Sequence, residues 1–171
     1  MSLFGKILVQ AIGNPLRSDD GVGPLLIERM SERMSQRSDA FLNKSIDFEW
    51  VYQLQIENAE QWRGYESVIV VDADSRATDP FTWREITHQE QSAAVALNSH
   101  LQSPDCIYQL MREFFEQNFS STPTRVFVLG IQAKVFDLGE KLSSHSSFAL
   151  CEAEKFLMGM LKDQKNPLKA L

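Results

Sequence analysis

The chain of 171 residues is poor in cysteine, glycine, proline and histidine, and each scarcity narrows what it can be. Its two cysteines, Cys106 and Cys151, are far apart and form no CxxC pair, which excludes a disulfide framework and a structural zinc finger and fits a reducing, cytoplasmic setting. With 17 Lys+Arg against 23 Asp+Glu, the net charge of −6 argues against a nucleic-acid footprint or a basic membrane arm. No apolar run approaches the ~18 residues needed to cross a bilayer, and the N-terminal run breaks at Gly13-Asn14-Pro15 rather than at a small-residue cleavage site. No repeat or low-complexity tract is present. The expectation is therefore a monomer with a single domain over residues 1–162 and a polar tail over residues 163–171.

What the chain does have is 43% hydrophobic residues, distributed in two periodicities. Ile7 to Ile12, Val68 to Val71 and Val126 to Leu129 are continuous apolar runs of the kind found in strands buried on both faces, with weaker strands expected over Ile46 to Tyr52 and Phe81 to Ile86. Helical spacing appears after Gly21 (Val22, Leu25, Leu26, Met30), from Ile56 to Trp62, after the Ser103-Pro104 start signal (Ile107, Leu110, Met111, Phe114, Phe115), and from Ala149 to Leu161. Buried strands alternating with amphipathic helices predict an α/β fold, a three-layer α/β/α sandwich with a mainly parallel sheet.

Ligands of such sheets bind beyond the carboxyl ends of the strands. There the first run leads into Gly13-Asn14-Pro15-Leu16-Arg17-Ser18-Asp19-Asp20-Gly21-Val22-Gly23, and the second into Asp72-Ala73-Asp74. Asp19 and Asp20 stand where acids cap a helix, and Asp72 where a strand turns. The glycines match neither a P-loop nor a dinucleotide fingerprint and are read as shaping the loop. His100 lies just ahead of the Ser103-Pro104 helix, whereas His88 and His145 sit in polar surroundings. Two carboxylates and an imidazole would suit a borderline divalent metal with positions left open, Asp19 and Asp74 being alternative ligands by position. Gln53 and Gln55 can line a groove or lie in solvent. Cys106, in the first turn of its helix, lacks any base that the sequence places beside it and reads as a small buried hydrophobe. The cluster Ser143 to Ser147 reads as a loop and cap before the last helix, not a nucleophile elbow.

Together the segments Gly13 to Gly23, Tyr52-Gln53-Leu54-Gln55, Val70-Val71-Asp72-Ala73, Ser99-His100 with Pro104, and Leu129-Gly130-Ile131-Gln132 resemble, in order, the hydrogenase maturation proteases. These endopeptidases remove a C-terminal extension from the large subunit of nickel-iron hydrogenases. The resemblance implies that Asp20, Asp72 and His100 match the three metal-contacting positions, which sense nickel already carried by the precursor, and that Gly13, Asn14, Asp19, Gly21 and Gly23 shape the site. It implies no resident organic cofactor, and a large-subunit precursor as partner. The chain departs from the family pattern at Ser18, where many members carry Gly, at Ala133, and at Asp79-Pro80. A non-proteolytic module that binds a metal or a protein tail, and a hydrolase acting on a free small molecule, are the competing expectations.

Overall fold

A computed structural model describes residues 5–36, 45–87, 103–115, 124–139 and 141–163. The elements are β1 (Ile7–Ile12), a 3-10 turn (Ser18–Gly21), α1 (Val22–Ser35), β2 (Ile46–Val51), α2 (Glu57–Trp62), β3 (Ser67–Asp74), β4 (Phe81–Ile86), α3 (Pro104–Leu110), β5 (Arg125–Gln132) and α4 (Ser144–Asp163). Strand order is β2-β1-β3-β5-β4. All pairings are parallel except β4 with β5. The expected three-layer sandwich is thus present, with one antiparallel edge.

Alternation along the strands divides the core in two. Ile7, Val9 and Ala11, Ile69 and Val71, and Phe127, Leu129 and Ile131 pack against α1 and α4. Leu8, Val68, Val70 and Val126 face the other way, against α2 and α3. Because side chains alternate with period two, each strand supplies both layers and must be apolar throughout, which is why the sequence shows continuous runs. β4 carries only half that pattern. Its Trp83 stacks on Phe127 with ring centroids 5.1 Å apart, while Arg84 on the opposite face holds Asp105 of α3 through two bonds of 3.0 and 2.6 Å.

The helix starts follow their local chemistry. Ser103 Oγ accepts from the Cys106 N–H at 3.2 Å and Pro104 opens α3, as its sequence predicts. The amphipathic stripe does not stay α-helical to its end: from Met111 to Phe115 the backbone widens into a π-helical turn. Ser143 Oγ accepts from the Ser146 N–H at 3.2 Å and caps α4, so the last serines of the cluster form the first turn of the helix and not a loop ahead of it. α4 ends at Asp163. Beyond Asp163, the expected tail lies outside the described residues. Among the described residues no helix is long and apolar enough to cross a membrane.

Candidate active site

Strand order reverses at β1, whose neighbours are β2 and β3, and the carboxyl ends of β1 and β3 therefore open a crevice. α1 enters it at close range. A Cβ on Gly23 would lie 2.7 Å from the Ile12 carbonyl oxygen and 3.4 Å from that of Val71, so only glycine lets the helix start this near both strands. Gly13 turns the chain out of β1 with φ of +146°, and a side chain there would strike the Asp20 carbonyl. The loop then closes on itself, with Asp20 Oδ2 accepting from the Asn14 N–H at 3.1 Å and Asn14 Oδ1 from the Leu16 N–H at 2.9 Å. Ser18 has φ of +46°, a conformation that glycine adopts with less strain, which gives a backbone reason for the glycine of the family pattern at this position.

Asp72 and Asp74 are not in a loop after β3 but are part of the strand, two residues apart and so on one face. The structure separates them. Asp74 closes the β3–β4 turn: its Oδ1 accepts from the Arg76 and Ala77 N–H groups at 2.9 and 3.2 Å, and its Oδ2 from Thr82 Oγ at 3.4 Å. Among the described residues Asp72 accepts from the Ala73 N–H alone, at 2.8 Å. Burial pushes its carboxyl up to about 6; the Ala73 hydrogen bond opposes this, and the negative charges of Asp20 and Asp74 add to it. The negative charge of Asp20 therefore reaches Asp72 across the crevice.

Asp19 does not cap α1. The N-cap of α1 is Gly21, with no side-chain cap, and the fully buried Asp19 side chain points to the segment after β5 instead. Oδ2 accepts from the Lys134 and Val135 N–H groups and from Ser143 Oγ, each at 2.9 Å, and Oδ1 from the Ser143 N–H at 2.6 Å. Burial raises its proton affinity, but the bonds from Lys134, Ser143, Val135 and Ser146 outweigh burial and hold it down at about 2. The backbone reinforces the contact: the Asp19 N–H donates to the Val135 carbonyl at 3.0 Å, the Gly139 N–H to that of Leu16 at 2.9 Å, and the Arg17 guanidinium to that of Phe136 at 3.2 and 3.3 Å.

His100 lies outside the described residues. Among the described residues no group of three His, Cys, Asp or Glu side chains is placed to hold a metal ion. Cys106 is half-buried in the first turn of α3. Gln53 and Gln55 are exposed. What the sequence reading missed is a polar chain beneath them. Fully buried Gln10 accepts from Trp62 Nε1 at 2.8 Å and donates to Glu49; Gln61 donates to Glu49 at 2.9 Å, and Asn58 ties Gln61 to the Gln55 backbone. A glutamine inside the apolar β1 run was the available signal.

The rim of the crevice carries exposed apolar side chains from three loops: Leu16, Tyr52, Ile56 and Leu138, the last 89% exposed. A groove of about 500 Å³ opens beside the β1–α1 loop, between Pro15, Gly21, Leu25, Glu28, Trp50 and Leu142.

The class that this architecture defines is the α/β fold of the hydrogenase maturation proteases. The chain is similar to the nickel-iron hydrogenase maturation protease HycI of Thermococcus kodakarensis, at 16% identity and a TM-score of 0.64 over 92% of this chain and 93% of that one. It is similar also to the hydrogenase maturating endopeptidase HybD of E. coli, at 18% identity and a TM-score of 0.60 over 92% and 93%. The hydrogenase 2 maturation peptidase of a Thaumarchaeota archaeon follows at 20% and 0.59 over 92% and 98%. At these identities the likeness is one of fold. No family model and no curated protein matches the chain.

Proposed function

We propose that the protein is an endopeptidase that removes the C-terminal extension from the nickel-loaded large-subunit precursor of a nickel-iron hydrogenase. The observation that carries this reading is the pair Asp20 and Asp72 at the carboxyl edge of the sheet, where the charge of Asp20 reaches Asp72, in a fold shared with maturation proteases. Nickel enters as part of the substrate. Asp20 and Asp72 contact it together with His100, a position that rests on the sequence resemblance.

The physical logic is a conditional site. Without a cation, burial and the neighbouring negative charges of Asp20 and Asp74 make the ionised form of Asp72 costly. A substrate-borne cation removes that penalty, and binding is then stronger for the loaded precursor than for the empty one by the cost of assembling the charges. Hydrolysis adds water across the scissile amide. One route has a carboxylate take the proton of the attacking water and deliver it to the departing amine; the other has the metal polarise the carbonyl. Both draw on the same two side chains. The exposed rim formed by Leu16, Tyr52, Ile56 and Leu138 suits a protein substrate better than a small molecule.

The test is the mass of a cognate precursor, loaded or not with nickel, after incubation with the protein and with its Asp20→Ala and His100→Ala variants. Loss of one C-terminal peptide from the loaded precursor alone, and only with the unaltered protein, is the expected result. An unchanged mass overturns the reading; nickel-dependent association without cutting would establish a binding module in its place.

A further inference from the structure

Asp20 stands in the 3-10 turn of the β1–α1 loop and Asp72 near the end of β3, just before the β3–β4 turn, and among the described residues no hydrogen bond runs directly between that loop and that turn. Pairing of β1 with β3 and the close seat of Gly23 against Ile12 and Val71 hold the two strand ends together, but not the loop and the turn that carry on from them. The segment that follows β5 meets both. On one side the Lys134 N–H donates to Asp19 Oδ2, next in sequence to Asp20. On the other, Lys134 Nζ donates to the Ser75 and Ala77 carbonyls at 3.0 and 3.1 Å, inside the turn that Asp74 closes behind Asp72.

We propose that Lys134 is a positioning residue that locks the β3–β4 turn to the β1–α1 loop and thereby sets the spacing of Asp72 and Asp20. Its importance for cutting rests on the proposed function; the brace itself does not. An exposed lysine ordinarily leaves its ammonium mobile in water, since ordering the long side chain costs conformational entropy. Here the chain is drawn across the edge of the sheet onto two carbonyls of one turn. Gln132 also donates to that turn, at 2.9 Å to the Ala77 carbonyl and 3.2 Å to that of Thr78, but it ties the turn to β5 alone. Lys134 joins it to the carboxylate beside Asp20. Asp19, gripped by Lys134, Val135 and Ser143, is the fixed end, and the Lys134 ammonium is the adjustable one. The arrangement is geometric and not a local charge effect, so arginine, which can reach the same carbonyls, should replace it and methionine should not.

The experiment has two arms on the full chain. In the first, nitroxide labels at Leu16→Cys and Thr78→Cys, on a background of Cys106→Ala and Cys151→Ser, report the loop-to-loop distance. Expected is a narrow distribution with Lys134, a broadened or displaced one in Lys134→Met, and recovery in Lys134→Arg, with melting temperatures alike. In the second, the unlabelled proteins are compared on the nickel-loaded precursor. Lys134→Met should lose about 10- to 100-fold in kcat, the effect of a misplacement of order 1 Å, while KM stays within about twofold. Identical distance distributions overturn the brace. A changed distribution with unchanged kcat overturns its role in setting the reactive spacing. If the unaltered protein cuts nothing while the distances respond as expected, the brace stands and the hydrolytic reading falls.

Discussion

Removing the charge of Asp72 should stabilise the folded protein at neutral pH while destroying its site. Burial and the acidic neighbours move this carboxyl from 3.8 to about 6, so between those values the folded state keeps a proton that the unfolded chain releases. Stability therefore declines as pH rises through that window, and the whole penalty is present above pH 6. The displacement corresponds to at most about 3 kcal/mol at about 1.4 kcal/mol per pH unit, and with solvent screening of a side chain at the sheet edge to about 1–2 kcal/mol. Asparagine keeps an oxygen for the Ala73 N–H and has no charge to bury. For a chain of this length, the melting temperature of Asp72→Asn should exceed that of the unaltered protein by about 3–6 °C at pH 7.5 in chelator. The gap should close to about 1 °C or less at pH 4, where Asp72 is protonated in the folded state. Calorimetric scans across pH 4–8 measure it. A variant that melts no higher at pH 7.5, or a difference independent of pH, would refute the account of Asp72 as a strained carboxylate.

Asp19→Asn should have the opposite sign. One amide oxygen replaces two that take four hydrogen bonds, and urea unfolding at pH 7 should show a loss of about 2–4 kcal/mol. Because the Asp19 carboxyl is held at about 2, its contribution is complete above pH 3.8 and is lost as pH falls toward 2; the difference between variant and unaltered protein should shrink in that range. In Gly130→Ala, the new methyl would lie 2.5 Å from Thr82 Oγ and 3.1 Å from the Asp74 carboxylate, so a loss of about 1–3 kcal/mol and weakened protection of the Arg76 and Ala77 amides in hydrogen exchange are expected. Cys106→Ala should leave processing intact and cost about 1 kcal/mol or less, because the bond that Cys106 gives to Ser103 at the helix start is made by its backbone N–H. Loss of cutting by a folded Cys106→Ala protein would revive a thiol mechanism.

Much of the architecture was determined by sequence alone because its signals are local. Ile7 to Ile12 and Phe81 to Ile86 are strands with the expected bounds, and Ser103-Pro104 starts a helix, since unbroken apolar runs and caps depend on near neighbours in the chain. The β3 strand ran longer than its apolar core, since pairing with β5 through Asp74↔Gln132 extends it past the last valine. That extension is what puts Asp72 and Asp74 on one face. The turn distinguishes the two, because it consumes Asp74 in bonds from Arg76, Ala77 and Thr82. Asp19 and Asp20 are adjacent acids that sequence cannot tell apart; only the segment after β5, more than a hundred residues later, turns one into a buried anchor and leaves the other at the crevice. Lys134 had no signal at all, because its partners lie in two loops that meet only when the sheet is assembled. Sequence thus determined which residues form strands and helices and which acids end at the carboxyl edge; long-range hydrogen bonds assigned those acids their separate work.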